Sequence, residues 1–297
     1  MRFVTFRGQD GRPVAGVMLT ADRVLDLSDP ACAALLDGTP PSVDAFVEQG
    51  LDAWAQRLSD APPPQEAVRP LADLTLLAPL RPGKVIGAAF NFTDALAERG
   101  LSAPAAPVLF MRAASTVIGP GEAIQVPPDV GHVGYEAELA VVIGRRALRV
   151  SRNAAMHHVA GYVAHNDVSG SSLVKEDGGN FVRGKNLRAS APLGPWLATP
   201  DELPDPHAVR IRLDIDGHPL QNGTTANLVF DIPALIEAAS HWVPLEPGDV
   251  IATGTPAGVA GMHRPEAWLR PGITVTVEVE GLGRLVNPVV EGENFHE

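Results

Sequence analysis

The sequence predicts a mainly β protein of mixed α+β class, a closed or rolled sheet with a few helices, and two observations carry that prediction. Short runs rich in β-branched and apolar residues recur along the chain: KVIGAAF, PVLFM, EAELAVVIG, HVAGYVAHNDV, VRIRLDIDG, DVIATGT and ITVTVEVEG. Helical spacing is evident in only a few places. At 297 residues the chain can bury a large core, and a small domain attached to a larger one fits that length.

The elements follow in order. MRFVTFRGQDGRPVAGVMLTADRVLDL alternates as a strand does, turns at Asp10-Gly11 and alternates again. Ser42 to Asp60 then reads as a helix, with Ser42 as N-cap and Phe46, Val47, Leu51, Trp54 and Leu58 at helical spacing. APPPQEAVRP breaks that regularity and reads as a linker, dividing a small N-terminal α+β domain (residues 1–75) from a main domain (residues 76–297). One further helix interrupts the β-rich runs: Asp231 caps it, Pro233 sits in its first turn, Leu235, Ile236 and Ala239 form its apolar side, and Pro244 stops it.

A net charge of −12 without any Lys/Arg cluster argues against nucleic acid and anionic membrane surfaces as partners. No apolar run is long enough to span a bilayer, and the N-terminal stretch has strand alternation where a secretion leader would have a charged and then apolar pattern. The single Cys32 forms no internal disulfide and no thiolate metal site. A cytoplasmic location is the expectation by elimination.

Residues 133 to 144, VGYEAELAVVIG, place Glu136 and Glu138 in a run otherwise suited to a core. Two apart on a strand, both carboxylates leave from one face, and the unbroken apolar run Leu139 to Ile143 is the pattern of a strand covered on both sides. Unpaired carboxylates cost several kcal/mol in such a place, so a cationic partner is expected. GYVAHNDVSG puts Asp167 near the end of another apolar strand, within reach as a third carboxylate. Three hard oxygen ligands, with no Cys or His at zinc spacing, favour Mg²⁺, followed by Mn²⁺ or Ca²⁺. The spacing alone equally allows a solvated acidic edge with Asp167 capping a turn.

Five runs in order then carry a resemblance: E-A-E-L-A-V-V-I-G, G-Y-x-x-x-N-D-V-S, P-L-G-P-W, L-E-P-G-D-V-I-A-T-G-T-P-A-G-V and G-L-G-R-L-x-N-P-V. Together, over about residues 80 to 290, they resemble the fumarylacetoacetate hydrolase superfamily. The resemblance implies a β-roll catalytic domain, a homodimer, and Mg²⁺ held by Glu136, Glu138 and Asp167. It implies a small 2-oxo acid or β-dicarbonyl acid substrate that chelates the metal and reacts through a metal-bound enolate. Lys185, in V-R-G-K-N, matches the active-site lysine that would add positive charge at the oxyanion. Thr255, in T-G-T-P, matches a substrate-contacting threonine. Gln221 aligns with a recurring glutamine, for which a hairpin-loop role is the alternative.

The chain departs from the family pattern in several places. Where hydrolases of the family read N-Y-x-x-H-x-x-E, this chain reads NFTDALAE, so the water-activating histidine is Ala95 while Glu98 remains, either as a lone base or as a surface glutamate. S-A-R-D-x-x-Q becomes SGSSLVK, with Ser171 and Ser172 at the arginine and aspartate positions, so a less polar pocket, less suited to a dicarboxylate, is expected. Arg112 replaces the lysine of F-x-K and keeps its charge for substrate binding; Arg188 reverses the charge of an aspartate. His165, two residues before Asp167 on the same strand, is a candidate replacement base or a buried core histidine. The expected activity is hydrolytic C–C cleavage of an acylpyruvate-like substrate. Tautomerisation, isomerisation or decarboxylation of the same class is the alternative that Ala95 favours, and a non-catalytic ligand-binding relative is the second alternative.

Overall fold

Strands dominate the computed structural model, which describes residues 1–296. The main sheet runs, from edge to edge, through Val68–Pro70, Arg23–Asp26, Pro13–Met18, Arg2–Arg7, Ala191–Ala198, Val159–Asn166, Ala137–Ile143, Val250–Ala252, Lys84–Ala89 and Val108–Ala113. A second sheet, His218–Thr224, Arg210–Ile215, Thr274–Val279, Gly283–Glu291 and Ile124–Val126, packs against it. Neither strand path among the described residues closes into a barrel. Each β-rich run singled out in the sequence contains a strand, and the fold is mixed α and β.

Period-two alternation explains the layers. Along Ala137–Ile143, Leu139, Val141 and Ile143 join Ile211, Leu213, Val275 and Val277 in the core between the sheets. Ala140 and Val142 point the other way, into a core shared with Phe46, Leu51 and Trp54. A strand buried on both faces needs no polar alternation, which is why this run is apolar throughout. Burying one such Leu or Val side chain contributes about 1.5–3 kcal/mol.

Three details differ from the sequence reading. The helix expected from Ser42 to Asp60 is two helices, Val43–Gln49 and Leu51–Asp60, because Gly50 breaks it with φ 104°. Ser42 is extended at the helix start, but its hydroxyl makes no capping bond. The proline-rich stretch ends in Val68–Pro70, which pairs with Arg23–Asp26, and Arg2–Arg7 pairs with Ala191–Ala198, so hydrogen bonding runs continuously from the first strands into the centre of the main sheet. The helix Ile232–Trp242 matches expectation, with Asp231 Oδ1 accepting from Ala234 N at 3.0 Å.

Three short helices position the site: Thr93–Glu98, Ser171–Glu176 and Phe181–Gly184. Among the described residues no helix is long and apolar enough to cross a membrane.

Candidate active site

Glu138 lies on the face of its strand that carries Ala140 and Val142, directly opposite His165 on the neighbouring strand. Glu136 precedes the strand; its N–H donates to Asn166 Oδ1 at 3.1 Å, and its carbonyl accepts from Asp167 N at 2.8 Å. These two bonds bring the loop after His165 across to the glutamates. Carboxylate oxygens of Glu136, Glu138 and Asp167 consequently lie within 4.8 Å of one another.

Lys185, just past Phe181–Gly184, is 3 % exposed and donates to Asp167 Oδ2 at 2.6 Å and to Glu136 Oε2 at 2.8 Å. Arg112, wholly buried, pairs with Asp167 Oδ1 from the other side and donates to Ser190 O at 2.7 Å. Burial alone would raise the pKa of Asp167, but Lys185 and then Arg112 hold it down at about 2. Burial likewise works against the Lys185 ammonium, which Asp167 and Glu136 nevertheless keep above the ordinary lysine range.

Glu138 is the unbalanced member. It is 1 % exposed, it accepts one hydrogen bond, from Gly254 N at 2.9 Å, and burial followed by the charges of Asp167 and Glu136 pushes its carboxyl well above the usual range. Three carboxyl groups thus share two cations, Lys185 and Arg112, and Glu138 is the one left without a cationic partner to favour its charged form. A divalent cation among these hard oxygens fits that deficit, so the donor set suits the metal that the sequence pattern implies. Gly254 has φ +96°, and a Cβ there would come within 3.0 Å of both Ala88 O and Asn91 Cβ. The loop therefore needs glycine to aim its N–H at Glu138.

The remaining predicted residues separate into two groups. Thr255 lines the cavity above the cluster, and its hydroxyl donates to Ala137 O at 2.9 Å. Gln221, buried, accepts from Ala137 N and donates to Thr255 Oγ1 and Pro256 O, each at 2.9 Å. It ties the glutamate strand to the threonine loop. Arg112 lies beneath Asp167, sealed from the cavity, and Ser190, which receives it, had no signal in the sequence. Glu98 is exposed, with Oε2 accepting from Gly258 N at 3.0 Å, while Ala95, 8 % exposed on the same helix, lines the cavity. His165 is enclosed: burial first of all lowers its pKa to about 4, Nδ1–H donates to Pro192 O at 2.8 Å, and Nε2 has no partner.

The cavity, about 70 Å³ and open to solvent, is walled by Phe90, Ala95, Arg99, Phe110, Glu136 and Lys185, among others. Phe90 holds a left-handed backbone at φ 59°, a conformation retained at functional sites when the surroundings enforce it. Arg99 and Phe90 carried no recognisable pattern, since an arginine after a short helix is ordinary in sequence. Carboxylates converging with a lysine on the floor of a cavity can hold a cation and stabilise negative charge on a bound oxygen.

Fold and site together define an enzyme family. Residues 84–290 match the profile described as fumarylacetoacetate (FAA) hydrolase, C-terminal. This chain belongs to the fumarylacetoacetate hydrolase family. Oxaloacetate tautomerase fahd2, mitochondrial, of Xenopus laevis is 36% identical over 296 residues, covering 98% of this chain and 90% of that protein. The solved fumarylacetoacetate hydrolase of psychrophilic Exiguobacterium antarcticum superposes with TM-score 0.83 at 32% identity, covering 98% of this chain and 100% of that one. A 5-carboxymethyl-2-hydroxymuconate delta-isomerase from Mycobacterium smegmatis gives TM-score 0.76 at 32% identity, again over 98% and 100%.

Proposed function

We propose that this protein is a divalent-metal-dependent tautomerase or isomerase of a small 2-oxo acid, acting through an enolate. One observation carries the reading: the wall facing the carboxylate cluster offers Ala95 where a water-activating histidine would stand, and His165 is sealed behind Asp167. Moving a proton between carbon and oxygen needs a stabilised enolate and no attacking water. Hydrolysis needs both. The Xenopus relative is named for oxaloacetate tautomerisation and the Mycobacterium structure for isomerisation, which supports the same choice.

Glu136, Glu138 and Asp167 would hold the cation, with Mg²⁺ favoured by the oxygen ligands and Mn²⁺ or Ca²⁺ behind it. Bound there, it would supply Lewis-acid stabilisation of the enolate. Lys185 adds a second positive charge at the cavity floor, kept ammonium by Asp167 and Glu136. Gln221 and Thr255 hold the loop that completes the wall. Arg112 fixes the rotamer of Asp167 from below.

Proton NMR in D₂O with Mg²⁺ tests the reading. Oxaloacetate should exchange its C3 protons faster with enzyme than without, and an acylpyruvate should exchange without being cleaved. Conversion of the acylpyruvate to a carboxylic acid and pyruvate, without prior exchange, would replace tautomerisation by C–C hydrolysis. Hydrolysis is the second reading because Glu98 stays on the cavity helix and the Exiguobacterium neighbour is a hydrolase. The proposal includes a homodimer, supported by the edge strand Val108–Ala113, where Met111 is exposed. Sedimentation equilibrium should report about twice 31.2 kDa.

A further inference from the structure

We propose that Arg99 determines substrate specificity by binding a second carboxylate at the far end of an extended 2-oxo acid. The inference rests on the reading above, in which the oxo-acid head sits at the carboxylate cluster. A second cavity of about 240 Å³ adjoins the first, and both are walled by Phe90, Arg99, Glu136, Phe181 and Lys185. The second continues between Tyr135, Val174 and Trp268. Short side chains at Ser171 and Val174 leave that space open. Its apolar walls suit a methylene or unsaturated chain.

Two cationic side chains line both cavities. Lys185 is committed to Glu136 and Asp167. Arg99, partly exposed at the end of Thr93–Glu98, has no carboxylate within 4.0 Å and no side-chain hydrogen bond among the described residues. A guanidinium presents a fork of donors that matches a carboxylate, and one left unpaired on the wall of a substrate cavity is a ready anion site. A second, independent feature points the same way. The hydroxyl of Tyr135, on the wall of the second cavity, is buried without a hydrogen-bond partner. Buried hydroxyls are ordinarily satisfied, and a ligand oxygen would satisfy this one. The less polar pocket expected from the sequence therefore keeps a cation in Arg99, which lines the same cavity as Ser171 and Val174.

The test compares 2-oxoadipate with 2-oxohexanoate, which have the same chain length with and without the distal carboxylate. Calorimetry on the Mg²⁺-loaded enzyme should show the diacid binding about tenfold or more tighter, the usual range for a hydrogen-bonded charge. In Arg99→Gln the ratio should collapse toward one, and Arg99→Lys should retain part of it. Tyr135→Phe should lower the ratio without abolishing it. No preference in the wild type, or equal weakening of both acids in Arg99→Gln, overturns the assignment. Deuterium exchange at C3 in the same samples reports separately on tautomerisation: a preserved binding preference without exchange removes the proposed activity and leaves Arg99 in place.

Discussion

Lys185 Nζ and Asp167 Oδ2 meet at 2.6 Å with both side chains buried, so the ammonium occupies part of the charge field that a metal ion would share. Breaking a buried pair by removing one partner costs about 3–5 kcal/mol, because the other charge is left uncompensated. Lys185→Met should therefore lower the Tm of metal-free protein, and Mg²⁺ should restore more stability to the variant than to the wild type. Turnover should fall by about 10²-fold or more. Thermal scans with and without Mg²⁺ check this, and an unchanged metal-free Tm would count against the pair.

Glu138→Gln keeps shape and an acceptor for Gly254 N while removing the surplus negative charge. Metal-free stability should hold or rise, since the buried like-charge repulsion goes. Mg²⁺ affinity should drop by about tenfold or more as a ligand charge is lost. Isothermal titration alongside thermal unfolding reads both; equal Mg²⁺ binding in the variant would remove Glu138 from the ligand set.

Two substitutions on the helix Thr93–Glu98 separate tautomerisation from hydrolysis. A positioned general base contributes about 10²-fold or more, so Glu98→Gln should cost less than that if Glu98 only anchors Gly258 N. Ala95→His places an imidazole on the cavity wall and should raise acylpyruvate cleavage without a matching rise in C3 exchange. A loss of about 10²-fold or more in Glu98→Gln would make Glu98 a general base, and whether C3 exchange or acylpyruvate cleavage is the rate that falls assigns it to tautomerisation or to hydrolysis.

Gln221→Leu strips partners from Ala137 N, Thr255 Oγ1 and Pro256 O in a buried setting. Each orphaned group costs about 1–3 kcal/mol, so the variant should lose at least about 2 kcal/mol in a urea titration. Stability within about 0.5 kcal/mol of wild type, the usual range of surface substitutions, would make Gln221 dispensable to the fold.

Cys32 is buried, and burial followed by Asp29 and Asp26 raises its pKa from 9.0 to about 11. Since the thiolate is the reactive form, labelling at pH 8 should follow unfolding, and rapid stoichiometric labelling of folded protein would contradict that burial.

Parts of this site were legible because they obey periodicity. The two-residue spacing singled out Glu136 and Glu138 as a pair, although Glu136 lies just before the strand Ala137–Ile143 and is held there by Asn166 and Asp167, and the helix from Asp231 follows from its cap and its proline. Asp167 was legible as a candidate, but its meeting with the glutamates depends on the pairing of Ala137–Ile143 with Val159–Asn166. Arg112 illustrates the limit. Its charge was visible in the sequence; its burial under Asp167 depends on a strand pairing with Lys84–Ala89 and on Ser190, distant in sequence. Arg99 was invisible for a similar reason, since only the fold shows that it borders two cavities and lacks a partner.

The pairing of Phe3 with Leu197 has a consequence for how the molecule is made. A first strand that hydrogen-bonds to one encoded almost two-thirds of the chain later cannot find its place while the chain is still short. Loop-closure entropy must be met before the contact is rewarded, and topologies rich in such distant pairings fold slowly. Leu76–Leu77 covers Thr5 and Phe6 early in synthesis, but the Arg2–Phe3 end of the same edge stays open until Ala191–Ala198 is made. That interval is when the nascent chain is most prone to pair with a neighbour, so yield in a host cell should depend on chaperone supply and growth temperature more than on the stability of the finished fold.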